Sequence, residues 1–211
     1  MLEHDKNIEE YCRVHSSPLS DVLYDLERET NLKTVLPRML SGDIQGRFLQ
    51  MMTASIGARY VVEVGTFTGY SAICMASAMP SDGRLVTFEV NDEMQPFYDK
   101  YFPQAGVQDI IDVRFGDARE LLSDVDEGID LVFIDADKKS YPHYYDILLP
   151  KVRQNGLILI DNVLWSGKVL HEDKDKNTAI IDAFNKQVTA DDRVENFLSY
   201  IRDGLMICRK L

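Results

Sequence analysis

From Tyr60 onward, short apolar runs alternate with longer stretches in which apolar residues recur every three or four positions. The short runs are "YVVEVG" (60–65), "RLVTFEV" (84–90), "IIDVRFGD" (110–117), "IDLVFIDAD" (129–137) and "GLILIDN" (156–162), each read as a β-strand. Strands separated by helical patterns imply right-handed βαβ crossovers and hence a parallel sheet. The unbroken apolar character of "LVFI" (131–134) and "LILI" (157–160) fits strands covered on both faces. The tail differs: "RVENFLSYI", "RDG" and "LMICRKL" (193–211) read as a hairpin whose last strand joins the sheet antiparallel. Before residue 60 the pattern is helical. It includes "SPLSDVLYDLERET" (17–30), where Ser17 and Pro18 resemble an N-cap and first-turn pair, and "SGDIQGRFLQMMTASIG" (41–57). The expectation is one α/β domain over 1–211, with a helical N-terminal cap (1–59) and an α/β core (60–211). The charged stretch "HEDKDKN" (171–177) is expected to be an exposed loop.

Composition narrows the function. The chain has 211 residues, 45% of them hydrophobic, enough for one sizeable core, and no Pro/Gly/Ser-rich linker interrupts it. With 23 Lys plus Arg against 35 Asp plus Glu, the net charge is −12, which argues against generic binding to a phosphate backbone and for a cation or cationic ligand. No run of 18 apolar residues is present, and the N-terminal residues are too polar for a signal peptide or membrane anchor, so a soluble, cytoplasmic protein is expected. Cys12, Cys74 and Cys208 have no CxxC spacing, and Cys74 and Cys208, which lie in apolar patterns, are read as buried thiols.

In open α/β sheets ligands sit beyond the carboxyl ends of the strands. The first strand turns through "EVGTFTGYS", where Gly65 lets the backbone approach a ligand and Gly69 permits a tight entry into the next helix. The second strand ends at Glu89, 24 positions after Gly65, where an acid binds a ribose diol. The third ends in "GDA", placing Asp117 opposite an adenine amine while Ala118 leaves room for the ring. These features point to an adenosine ligand without naming it. The fourth strand delivers Asp135, Asp137 and Lys138, and the fifth delivers Asp161 and Asn162. Asp135, Asp161 and Asn162 form an all-oxygen set suited to Mg²⁺. Caps and turns are the competing use of the same residues.

"EVGTFTGYS", "FIDADKKSY" and "DNVLWSG", with "RMLSGDIQG" before them and "IRDGL" after, resemble in order and spacing the cation-dependent class I O-methyltransferases, typified by catechol and caffeoyl-CoA O-methyltransferases. That resemblance implies a Rossmann-like methyltransferase fold, with a mostly parallel seven-stranded sheet, an antiparallel last strand and helices on both faces. It implies S-adenosylmethionine as cofactor, Mg²⁺ (or Mn²⁺ or Ca²⁺) on Asp135, Asp161 and Asn162, a catalytic Lys138, and a homodimer. By the same resemblance Met39, Ser41, Glu63, Gly65, Thr66 and Ser71 surround the methionine part, and Glu89 holds the ribose. Asp117 and Ala118 lie beside the adenine, Asp137 lies near the cofactor's amine, and Asp135 and Tyr144 border the cofactor. Ser166 stands where plant caffeoyl-CoA enzymes have an asparagine contacting substrate, a departure from that substrate's contacts.

Methyl transfer to a hydroxyl requires removal of its proton, for which a metal template and a lysine of lowered pKa beside a dication are suited. The competing role of Lys138 is an ion pair with Asp137. Tyr141 and Tyr145 are expected to pack the helix, while Tyr144 and Trp165 wall the site. The leading acceptor is a small catechol-like or vicinal diol. Alternatives are a hydroxylated tRNA nucleoside met by a basic patch around Arg13, Lys33 and Arg38, a nicotinamide dehydrogenase, disfavoured by the missing GxGxxG, and a non-catalytic binding module.

Overall fold

The computed structural model describes residues 6–211. Three helices, α1 (Lys6–Val14), α2 (Asp21–Lys33) and α3 (Gly42–Ser55), precede the sheet. Then come β1 (Tyr60–Val64), α4 (Tyr70–Ala76), β2 (Arg84–Glu89), α5 (Gln95–Ala105), β3 (Ile111–Phe115), α6 (Ala118–Leu121), β4 (Ile129–Ile134), α7 (Tyr141–Lys151) and β5 (Val152–Asp161). The chain ends with α8 (Lys176–Thr189), β6 (Val194–Ser199) and β7 (Leu205–Lys210). The seven strands lie in the order β3-β2-β1-β4-β5-β7-β6. β1 to β5 pair in parallel, and β7 enters antiparallel between β5 and β6, as the hairpin reading expects.

Alternation along each strand explains why the central ones read as continuously apolar. Val61, Leu131, Phe133 and Leu159 face one layer, with Leu26 of α2, Leu49 of α3, Ile73 of α4 and Tyr101 of α5. Val62, Val132, Ile134 and Ile160 face the other, with Tyr145 and Leu148 of α7 and Phe184 of α8. A strand buried on both sides has few places for a polar side chain in its middle. Each fully buried Phe or Leu contributes roughly 2–3 kcal/mol of apolar transfer.

The structure moves three expected boundaries. Helix α2 starts at Asp21 with Ser20 as its N-cap, so Ser17 and Pro18 lie in the preceding link, where their carbonyls accept from the Arg47 guanidinium. Strand β5 begins at Val152, four residues before Gly156, with a register shift against β4 that lets "VRQN" pass outside the apolar run. The exposed 171–177 stretch ends inside α8, because Asp175 caps that helix by accepting from Thr178 N at 2.9 Å.

Strand order reverses between β1 and β4. From β1 the chain runs outward through β2 and β3, and from β4 outward through β5, so a crevice opens at the carboxyl ends of these two central strands.

Candidate active site

At that crevice Gly65 N donates to Phe88 O at 3.1 Å and Asp135 N donates to Val64 O at 2.9 Å, so the ends of β1, β2 and β4 are laced together. Gly65 has φ +101°, and a Cβ there would stand 2.1 Å from the Asp135 carbonyl oxygen. The glycine is needed first for contact with the chain itself: sequence alone attributes its backbone approach to a ligand, but the nearest neighbour is the end of β4. Gly69 (φ +88°) opens α4 as expected, and a Cβ there would strike the Phe102 ring at 2.6 Å.

Beneath this turn lies a buried polar network. Glu63 is fully enclosed and accepts from Ser71 Oγ at 2.5 Å and Thr87 Oγ1 at 2.6 Å, while the Thr66 and Thr87 hydroxyls lie 2.6 Å apart. Burial pushes the Glu63 carboxyl up to about 8 against the pull of these two hydrogen bonds, and the charges of Asp135 and Glu89 add to the rise. Thr87 completes the network, and its place in the middle of an apolar strand was the only signal for it.

At the end of β2, one Glu89 oxygen accepts from Phe67 N at 2.7 Å and the other from Val90 N and Asn91 N at 2.9 and 3.0 Å. Asp117 caps α6, accepting from Arg119 N at 2.9 Å, and is gripped by the Arg119 guanidinium. That side-chain pairing, with the backbone bond next, holds Asp117 down at about 2. The capping use is thus realised, and an adenine amine at Asp117 would share the carboxylate with Arg119. Ala118 is buried beside it, and Tyr144 is buried with Asp117, Asp137 and Arg119 as electrostatic neighbours.

The acids on β4 and β5 do meet. Parallel pairing of Ile134 with Ile160 brings the following residues, Asp135 and Asp161, side by side. Lys138 Nζ donates to Asp135 Oδ1 at 2.8 Å and to the Tyr141 hydroxyl at 2.6 Å, and that hydroxyl donates to the Asp161 carbonyl at 3.0 Å. Lys138 pairs with Asp135 and not with its competing partner Asp137, which accepts from Ser140 Oγ at 2.8 Å. Tyr141 and Tyr145 both pack edge-on to Phe184, as expected, and Tyr141 in addition meets the lysine through its hydroxyl. Burial disfavours the Lys138 ammonium, but the Asp135 charge and the Tyr141 hydroxyl outweigh it, so the lysine stands above its ordinary value rather than below. Asp161 is nearly fully buried, and burial together with the Asp135 charge holds its carboxyl well above the carboxylate range.

Two carboxylates are crowded together, with the Lys138 ammonium on Asp135 and the Arg202 guanidinium acting on Asp161, and Asn162 adds an amide oxygen donor at a left-handed φ of +60°. Among the described residues no cluster of three or more His, Cys, Asp or Glu is arranged to hold a metal; the candidate set has two acids and completes itself with the amide. Their hard oxygen chemistry fits Mg²⁺. The loop after Asn162 is strained and braced: Trp165 and Ser166 have φ of +49° and +56°, Ser166 N donates to Asp203 Oδ1 at 2.6 Å, and Asn185 Nδ2 donates to Val163 O at 2.8 Å. Trp165 is half-buried and its backbone N–H donates to Asn162 O at 3.2 Å, while Ser166 is exposed.

The N-terminal candidates divide. Ser41 is buried and its carbonyl accepts from Arg202, whereas Met39 is exposed. Of the basic residues weighed as a patch for a tRNA acceptor, Arg13 pairs with Glu10 and lies 3.8 Å from Asp43, and Lys33 pairs with Glu29 at 2.7 Å. As expected, Cys74 and Cys208 are buried, while Cys12 is exposed.

Comparison with known proteins follows the same lines. A probable caffeoyl-CoA O-methyltransferase 2 of Dictyostelium discoideum is 32% identical, over all of this chain and 94% of its own length. Caffeoyl-CoA O-methyltransferase 1 of Zea mays is 35% identical, over 87% of this chain and 76% of its own length. The crystal structure of the Streptomyces achromogenes O-methyltransferase TomG in complex with S-adenosylmethionine superimposes with a TM-score of 0.89 at 26% identity, covering 100% of this chain and 99% of that one. The O-methyltransferase family profile matches residues 13–211, and with that match the motifs and the strand-end acids have one explanation: the chain belongs to the O-methyltransferase family.

Proposed function

We propose that the chain transfers a methyl group from S-adenosylmethionine to one hydroxyl of a small catechol-like or vicinal diol acceptor, with a divalent cation held by Asp135, Asp161 and Asn162. The observation that carries the reading is the pair of crowded carboxylates on adjacent strand ends with Lys138 beside them. When bound, S-adenosylmethionine supplies an electrophilic methyl group and the cation supplies positive charge that favours an ionised acceptor oxygen.

The protein's own part is positioning and proton management. The Gly65 turn and the Glu63–Ser71–Thr87 network form the floor for the methionine part, and Glu89 at the end of β2 meets the ribose. Lys138 takes the acceptor's proton as a neutral amine. Burial favours that form and Asp135 opposes it, an opposition that a cation held by Asp135, Asp161 and Asn162 would offset. Tyr141 fixes the Nζ position by its hydrogen bond, and the buried walls exclude water from the transfer. A homodimer belongs to the reading, supported by the apolar side chains Ile8, Tyr11 and Val14 left exposed on α1. No helix among the described residues is long and apolar enough to cross a membrane.

The test is methyl transfer from labelled S-adenosylmethionine to caffeate and 3,4-dihydroxybenzoate, with Mg²⁺ and then with EDTA. Turnover that EDTA abolishes supports the reading; equal turnover in EDTA removes the metal from it.

A further inference from the structure

Gln45 lies on α3 in the stretch "SGDIQG", and its side chain is fully buried. Its Oε1 accepts from Arg202 Nη1 at 3.1 Å, and the same guanidinium nitrogen donates to the Ser41 carbonyl. Its Nε2 is buried without a hydrogen-bond partner among the described residues, although the amide lies against the Asp161 carboxylate. A carboxamide whose oxygen is already engaged has only its N–H groups to offer, and an orphaned donor in a dry interior is costly, so it calls for an acceptor. The acceptor that faces it is the Asp161 carboxylate, whose Oδ1 is otherwise tied to Asn162 N at 2.8 Å.

Arg202 belongs to the turn between β6 and β7, where it adopts φ +51°. The next residue of that turn, Asp203, braces the loop after Asn162, through Leu164 N to its carbonyl at 2.9 Å and Ser166 N to its side chain. One turn therefore reaches both candidate metal ligands of β5: Asn162 through the loop and Asp161 through Gln45.

We propose that Gln45 is a positioning residue for the divalent cation, a strut that carries the placement of Arg202 to the Asp161 carboxylate and sets the orientation in which that carboxylate receives the ion. The proposal rests on the metal reading given above. Groups that orient ligands in this way typically change metal affinity by about 10–100-fold when removed.

The test is Mn²⁺ binding, followed by the loss of the free-ion paramagnetic resonance signal, on the ligand-free full chain. It covers the native protein, Gln45→Leu, Arg202→Met and the double variant, with S-adenosylhomocysteine affinity and thermal unfolding measured alongside. Gln45→Leu is expected to weaken Mn²⁺ by about 10-fold or more with S-adenosylhomocysteine affinity retained. Arg202→Met is expected to weaken it less, since it also removes a positive charge that acts on Asp161, and the double variant no more than Gln45→Leu. Native-like Mn²⁺ affinity in Gln45→Leu, with only a lower Tm or only a higher acceptor KM, overturns the proposal in favour of packing or substrate contact. Should Gln45→Leu not fold, Gln45→Met decides it, with native-like Mn²⁺ affinity as the overturning result. Absence of Mn²⁺ binding by the native chain defeats the metal reading itself, a result distinct from a native chain that binds and a Gln45→Leu chain that binds equally well.

Discussion

Replacing Glu63 by Gln tests whether the floor of the site holds a neutral carboxyl. Glu63 has no solvent exposure, accepts two hydroxyl hydrogen bonds, and has its pKa raised from 4.5 to about 8 by burial. For an acid raised in the folded state, the native chain keeps a proton that the unfolded chain has released. Its contribution is therefore fully present below about pH 4.5 and declines as pH rises toward 8. At about 1.4 kcal/mol per unit, the whole decline approaches ~5 kcal/mol, of which about 2 kcal/mol falls between pH 6 and pH 8. Glu63→Gln has nearly the same shape and no charge to release, and the Ser71 and Thr87 hydroxyls can rotate to meet its amide, so it escapes this decline. Urea unfolding of the ligand-free protein at pH 6, 7 and 8 should show the variant gaining about 2 kcal/mol on the native protein across that range. Asp161 titrates in the same window, but it is common to both proteins and cancels in the difference. A difference that stays flat with pH would refute the reasoning, because Glu63 would then be ionised in the native state despite its burial.

Three further outcomes follow from the site. Lys138→Ala should retain S-adenosylhomocysteine affinity by calorimetry while turnover drops by about 100-fold or more, and an almost fully active variant would remove the lysine from proton transfer. Gly65→Ala must move either its own left-handed backbone or the Asp135 carbonyl 2.1 Å from the new Cβ. It should cost about 2–3 kcal/mol in urea unfolding and weaken Mn²⁺ as well, whereas a native midpoint would mean the turn is more pliable than its geometry implies. Tyr141→Phe removes the hydroxyl between Lys138 and the Asp161 carbonyl, so stability should fall by roughly 1–3 kcal/mol and kcat should drop with little change in acceptor KM; a change confined to KM would assign the hydroxyl to the acceptor instead.

Much of this protein was legible along the chain because its signals are local. The apolar runs from Val61 to Ile160 mark strands covered on both faces, and a hairpin at Arg202 to Gly204 follows from residues that are neighbours in sequence. The strand-end acids and the glycine turns stood out for the same reason, as short motifs at fixed offsets from each strand, and they placed the crevice before any coordinates did. What only the tertiary structure decided are pairings across the sheet, where distance in sequence carries no information about distance in space. Whether Lys138 meets Asp137 or Asp135 depends on which way the turn after Ile134 folds, and it folds so that Ser140 takes Asp137. Whether Gly65 faces a ligand or its own chain depends on β4 lying beside β1. Tyr141 and Gln45 read as ordinary helix residues because their roles arise only when the end of β5, 20 residues away from the one, and the β6–β7 turn, more than 100 from the other, come to rest against them. Local patterns set which segments become strands and helices; long-range burial set which polar groups were left to satisfy one another, and the chemistry of the site lies in those groups.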